Sequence, residues 1–290
     1  MQHPIGIDIG GSGVRGAIIG GASHTEILSA PLSNRSSASV VQAVARLVEK
    51  LDSTGPLGVA VPGFIQDGVV RESPNFPEWR DLQLRDQIAA RIDRPVTLIN
   101  DANAAALGAW TLRGEREDLV LLTLGTGVGG GVIVDGVPLV GSGGTGAELG
   151  HIFVGGDRLC GCGARGCLET WCSTVGLRAA ARERGIEVEN GQDVLRHADA
   201  GTAWALELLE QAGQALGRGL ASFVNIFNPD VVLLVGGLSG AKKYLDSAAR
   251  SVLETQAIAP SLERLELVWG GRAEDYAVHG AARSAVSLGS

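Results

Sequence analysis

Apolar residues along this chain fall into short β-branched runs broken by glycine clusters, and into longer stretches where they recur at helical spacing. Ile5 to Ile9 reads as a strand, GGSG turns the chain, and Val14 to Ile19 returns as a second strand. A third strand is expected near Glu26 to Ala30. From Ser36 to Leu51, the residues Val40, Val41, Val44, Leu47, Val48 and Leu51 share one helical face, with Ser36, Ser37 or Ser39 available as the cap. Leu57 to Val61 is a short apolar strand ended by Pro62-Gly63. A helix over Leu82 to Ile92 leads through Pro95 to the strand Val96 to Ile99. Asn100 and Asp101 stand at that strand's C-terminal end, before an alanine-rich helix. Strands alternating with helices predict a mostly parallel α/β architecture.

The second half repeats the plan. Val120 to Leu124, the glycine turn from Gly125 to Gly130, and Gly131 to Val134 again give strand, turn, strand. Asp8-Ile-Gly-Gly aligns with Thr123-Leu-Gly-Thr at an offset of 115, and PVTLINDA aligns with VVLLVGGL at an offset of 136. The 21-residue difference matches the length of a cysteine-rich segment, so a duplicated domain with an insertion in its second copy is expected. The expected bounds are 1–112 for a smaller N-terminal domain and 113–274 for a larger one containing a metal knuckle at 151–167. A final helix, at about 275–290, is expected to return to the first domain. RGERED, Arg113 to Asp118, is the charged hinge candidate, and long helices are predicted over Leu206 to Phe227 and Lys242 to Gln256.

With 290 residues and 45% hydrophobic content, the chain can fill the cores of two domains. A net charge of −8 argues against nucleic acid as the main partner. No apolar run reaches the roughly eighteen residues a membrane span needs, and the opening MQHPIGIDIG carries no leader pattern, so a cytoplasmic protein is expected. The 43 glycines cluster in a few loops, the composition of loops whose backbone must approach a ligand closely.

Within those loops, HIFVGGDRLCGCGARGC supplies His151, Cys160, Cys162 and Cys167, a complete set of three sulfurs and one nitrogen for structural zinc. A disulfide pair or buried thiols is the competing reading, and Cys172 is assigned to packing. The glycine hairpins could cradle a polyphosphate chain through backbone N–H groups. A Walker A loop is excluded, because Lys50, Lys242 and Lys243 are the only lysines and none lies in a glycine loop. GTGVGG matches the dinucleotide fingerprint, but it opens into a strand where that fold requires a helix. Asp8 is a candidate for Mg²⁺, or else a carboxylate capping its own turn. Asp101 is a candidate base for an attacking hydroxyl, or else a helix N-cap.

Together these motifs resemble the ROK family of bacterial sugar kinases and sugar-responsive repressors. DIGGSGVRGA is similar to its first phosphate loop, LTLGTGVGGGVIVDG to its second, NPDVVLLVGG to the segment closing the adenosine pocket, and ELGH with CGCGARGCLE to its sugar and zinc motifs. The resemblance implies a duplicated actin-like (ribonuclease H-like) ATPase fold, with two domains and a ligand cleft between them. It implies ATP and Mg²⁺ held by Asp8, Gly10, Gly11, Ser12, Gly125, Thr126, Gly127, Gly236 and Gly237. It further implies Asp101 as the base on a hexose 6-hydroxyl, with Gly63, Asn75, Asn100, Glu148, His151 and Glu169 around the sugar, and His151 shared with zinc. Glucose is the expected substrate, with another hexose as the alternative and a homodimer or homotetramer as the assembly. Three departures stand out. The first loop reads GGSGVRG where ATP-using relatives carry GGTK, a variant closer to polyphosphate-using glucokinases. The His151–Cys160 gap is one or two residues shorter than usual, and WCST replaces a small-residue stretch. A sugar-sensing repressor is the contrasting class, disfavoured by the acidic charge and by a glycine loop beginning at residue 10.

Overall fold

A computed structural model of the chain describes residues 3–21 and 23–287. Its described residues divide into two compact units, one within 1–116, 131–147 and 273–290 and the other within 117–130 and 148–272. Residues 288–290 of the expected terminal helix lie outside the described residues.

In the first unit, Ile5–Ile9 pairs antiparallel with Gly13–Gly20 and parallel with Leu57–Val61, which pairs in turn with Val96–Asn100. Every residue of Ile5–Ile9 and of Leu57–Val61 is buried, as apolar strands covered on both faces must be. The helix Ser37–Leu51 starts at Ser36, whose side chain accepts from the Ser39 N–H, so Ser36 is the cap among the three serines. Leu28–Pro31 replaces the strand expected from Glu26, and a three-stranded sheet, Phe64–Gln66, Val69–Glu72 and Arg80–Leu82, was not anticipated. Its strands have three or four residues, too few for a legible alternation.

The C-terminal helix Ala273–Ser287 belongs to this unit and packs with almost no side chain between it and its neighbours. A Cβ placed at Gly6 would lie 1.8 Å from the Val278 carbonyl oxygen, at Gly58 1.7 Å from that of Ala281, and at Gly108 1.9 Å from that of Tyr276. Reciprocally, a Cβ at Gly280 would meet the Ala104 carbonyl oxygen at 1.8 Å. Glycine is thus required wherever this helix crosses Ile5–Ile9, Leu57–Val61 and the helix Asp101–Leu112.

In the second unit, Leu119–Leu124 pairs parallel with Val231–Val235, and that strand with Glu266–Trp269. The 25-residue helix Ala203–Phe227 is more extended than expected, and lies against Lys242–Gln256 through Gly213 and Gly217. The helices Thr174–Glu183 and Gly191–Asp199 were missed by the pattern reading. After the Gly125 turn the chain enters the strand Val128–Val134, which disposes of the dinucleotide reading on structural grounds.

The strand order is duplicated, but the alignment at offset 136 is corrected. The neighbour of Ile5–Ile9 is Leu57–Val61 and that of Leu119–Leu124 is Val231–Val235, so those two strands are counterparts. Val96–Asn100 corresponds instead to Glu266–Trp269. Apolar runs of equal length gave the false match, and the 21-residue insertion inferred from it has no basis in the topology. Among the described residues, no helix is long and apolar enough to cross a membrane.

Candidate functional site

In the first unit, the turn after Ile5–Ile9 is closed by the Gly10 N–H donating to the Gly13 carbonyl at 2.8 Å. That hairpin sets Asp8 opposite Arg15, whose Nε is 3.8 Å from Asp8 Oδ2 and whose NH1 is 3.4 Å from Glu274. Asp8 is 5% exposed. Burial pushes its carboxyl up to about 7, with the Asp101 charge adding to the rise and Arg15 opposing it. Asp8 and Asp101 therefore share one edge of the sheet. Arg15 was not singled out from the sequence, although folding the hairpin about GGS places residue 15 across from residue 8.

At the strand–helix junction, Asn100 rather than Asp101 is the N-cap. Its Oδ1 accepts from the Ala102 and Asn103 N–H groups at 2.9 and 3.0 Å, and its Nδ2 donates to the Gly63 carbonyl at 3.0 Å. Asp101 is the first helical residue, with Oδ1 accepting from the Ala102 N–H. Gly63 has φ +132°, and a Cβ there would sit 2.3 Å from the Glu72 carbonyl oxygen, so the turn after Val61 requires glycine. Asn75 is exposed on a loop anchored by the stacked Phe76 and Trp79 rings, and its carbonyl accepts from Arg35.

The second unit gathers the other predicted residues. Gly125 N–H donates to the Gly127 carbonyl, and Thr174 N–H to that of Gly125, so the turn holding Thr126 is fixed from both sides. Gly236, φ +95°, approaches the Leu124 carbonyl at 2.7 Å from a placed Cβ, bringing Gly236 and Gly237 beside the first residues of that turn. Glu169 joins the turn to the cysteine cluster. Its Oε2 accepts from the Val128 N–H at 2.9 Å, and Cys160 Sγ is 3.5 Å from its Oε1. A Cβ on Gly127 would stand 2.5 Å from the same carboxylate. This contact spans 41 positions and left no signal in the sequence.

His151, Cys160, Cys162 and Cys167 bring their ligand atoms within 4.8 Å of one another. His151 Nδ1 lies 3.5 Å from Cys160 Sγ, and Cys162 Sγ lies 3.8 Å from Cys167 Sγ. A tetrahedral zinc with bonds of about 2.3 Å has ligand edges of about 3.8 Å, so the donor set and spacing fit that ion. Disulfide sulfurs would be about 2.05 Å apart, and all four cysteines are free thiols. Two bridges, Phe153 with Cys167 and Leu159 with Arg165, form the scaffold, so the shortened His151–Cys160 gap still closes the cluster. His151 Nε2 lies 3.9 Å from Glu148 Oε2. Burial raises the Glu148 carboxyl pKa, and His151 opposes that rise. Cys172, 2% exposed, packs with its thiol toward the Ala212 carbonyl.

A model of the ROK family matches residues 4–286. A glucokinase of Thermotoga maritima is 37% identical over 245 residues, covering 78% of this chain and 77% of that protein. Among solved structures, a ROK hexokinase from Thermus thermophilus superposes with a TM-score of 0.85 at 32% identity, covering 98% of each chain. A ROK family glucokinase from Streptomyces griseus, in complex with glucose and AMPPNP, gives a TM-score of 0.79 at 26% identity over 98% of this chain and 99% of that one.

Proposed function

The chain belongs to the ROK family and is a sugar kinase, and on that premise we propose that it transfers the γ-phosphoryl group of ATP to the 6-hydroxyl of glucose. The carrying observation is the junction at Asn100 and Asp101. Asn100 is committed to the helix start and to Gly63, which makes Asp101 the carboxylate of the first turn, with its charge reaching Asp8. Asp101 accepts the proton as the sugar oxygen attacks, the task one positioned carboxylate performs in phosphoryl transfer. Glucose as acceptor is supported by the glucokinase relatives at 31–37% identity.

Gly63, Asn75 and the second Nδ2 hydrogen of Asn100, together with Glu148, His151 and Glu169, meet the remaining hydroxyls. Each unpaired partner then discriminates against an isomer. The turns Gly10-Gly11-Ser12 and Gly125-Thr126-Gly127, with Gly236-Gly237, take the nucleotide through backbone N–H groups. Asp8, a buried carboxylate beside a second carboxylate charge, suits Mg²⁺, which keeps most of its waters and would neutralise phosphate charge when bound. Zinc on His151, Cys160, Cys162 and Cys167 would fix the His151 ring and the backbone leading to Glu169.

A polyphosphate donor is the second reading, favoured by the first loop, which has Gly13 at the lysine position of the GGTK carried by ATP-using relatives. A coupled assay of glucose, mannose, fructose and N-acetylglucosamine, run in parallel with ATP and with polyphosphate, tests both. The highest kcat/KM is expected for glucose with ATP. Turnover with polyphosphate alone would overturn the donor assignment, and no turnover of any hexose would overturn the reaction.

A further inference from the structure

The loop between His151 and Cys160 and the segment WCST, which the roles above leave unexplained, lie against each other in the second unit. The indole Nε1–H of Trp171 donates to the Gly155 carbonyl at 3.0 Å. A Cβ on Gly156, whose φ is +86°, would stand 3.0 Å from Trp171 Cζ2, so the loop runs close along the ring. Two residues before Cys160, the Arg158 guanidinium carbon lies 4.6 Å from the centre of the same ring. Arg158 Nε donates to the two Glu183 oxygens at 3.1 and 3.2 Å, NH2 donates to Oε2 at 3.0 Å, and NH1 donates to the Thr170 carbonyl. Its side chain is 13% exposed. The planar fork thus meets a carboxylate, main chain and an aromatic face at once, a set that lysine cannot reproduce. Trp171 and Thr170 both belong to the short helix Glu169–Cys172. The pair therefore joins the approach to a cysteine ligand to the helix that carries Glu169.

We propose that Arg158 and Trp171 are positioning residues, a clamp that holds the loop shut on the cysteine cluster and keeps Glu169 in register with the second glycine turn. Glu169 Oε2 already accepts from the Val128 N–H in that turn, so a shift of its helix moves the carboxylate and the turn together. The clamp's hold on zinc rests on the metal reading above, and its effect on glucose rests on the Glu169 role proposed there.

Zinc-loaded protein is titrated against a chromogenic chelator, with steady-state kinetics alongside. Arg158→Ala and Trp171→Leu are each expected to weaken zinc binding about 10- to 100-fold, the loss typical of groups that support metal ligands. The double variant should lose less than the product of the two, because either change alone opens the clamp. Trp171→Phe keeps a ring under Arg158 and gives up one hydrogen bond, so zinc binding should weaken only about five-fold. With zinc in excess, Trp171→Leu should retain a KM for glucose at least about three-fold above the parent with kcat within about two-fold, and Trp171→Phe should restore most of that KM. Loosening of the whole fold would not split KM from kcat in this way. Zinc affinity within about two-fold of the parent in Arg158→Ala, Trp171→Leu and Trp171→Phe would overturn the clamp alone, as would losses that multiply in the double variant. A KM equal to the parent's in excess zinc would overturn the link to Glu169. A parent that binds no zinc would overturn the metal reading and the clamp with it. The zinc titration decides the clamp even if no hexose is turned over.

Discussion

Gly108→Ala tests whether the helix that begins at Asp101 is positioned by direct backbone contact. Ordinary contact begins at 3.4 Å, whereas the new Cβ would lie 1.9 Å from the Tyr276 carbonyl oxygen, a shortfall of about 1.5 Å against atoms that cannot rotate aside. Overpacking of this kind costs about 1–3 kcal/mol, and main chain on both sides places the case at the upper end. Helix propensity acts the other way, favouring alanine by about 1 kcal/mol. The net expectation is a loss of about 2 kcal/mol, or roughly 4–8 °C in Tm for a unit of this size. Separating the helices also moves Asp101, and a misplacement of about 1 Å can lower turnover about 100-fold. Thermal unfolding and steady-state kinetics read both effects, with Gly240→Ala as the control because nothing lies within 4 Å of its Cβ. Gly280→Ala should behave alike, and the double variant should cost less than the sum because one displacement opens both contacts. A Tm equal to or above the parent, with unchanged kcat, would show that propensity alone operates and that the close approach is wrong.

Asp101→Asn should lower kcat by about 10²–10⁴ with KM for glucose little changed; kinetics within a few-fold of the parent would remove the base assignment. Elemental analysis should find about one zinc per chain, and chelation should lower both Tm and glucose affinity, whereas a metal-free, equally stable sample would dispose of the knuckle. His279 gives a pH dependence. It is 3% exposed, its ring sits edge-on to His24 at 5.2 Å, and burial lowers its pKa below the ordinary 6.5, with His24 adding to the drop and Asp275 opposing it. The unfolded chain then takes up the proton first, so stability is full above pH 6.5 and falls as the pH drops through that value. Denaturant midpoints between about pH 5.5 and 7.5 should show this slope, and His279→Leu should flatten it; an identical slope in the variant would assign it to other groups.

Much of the site was legible because its chemistry is local in sequence. The cysteine and histidine ligands span 17 positions, and their donor atoms do converge. The glycine turns were visible as clusters between apolar runs, and Ser36 capped its helix where the pattern placed the choice among three serines. Glu169 on Val128 was not visible, since it depends on a fold that returns distant backbone to the same spot, whereas Arg15 on Asp8 follows from folding one hairpin. That Asn100 and not Asp101 is the N-cap was also hidden, because both accept from the Ala102 N–H and only the further bond from the Asn103 N–H to Asn100 separates them.

The corrected duplication bears on why Asp101, the proposed base, has no twin. With Asp8 set against Thr123, the strand registers carry Asp101 onto Arg272, at the end of Glu266–Trp269 and just before the helix Ala273–Ser287. The two copies thus place opposite charges at the same topological point, ahead of two helices that meet through Gly108 and Gly280. Had both copies kept a carboxylate there, each helix N-terminus would already hold a negative charge, and a nucleotide's phosphates would be repelled from both strand ends. The proposed reaction needs a base at one end and a neutralised anion at the other, opposite demands that an aspartate and an arginine on equivalent junctions would meet. Arg272→Asp, which restores the symmetry, is therefore expected to raise KM for ATP more than KM for glucose. Equal changes in both would mean that Arg272 acts on the fold and has no preference for the anionic substrate.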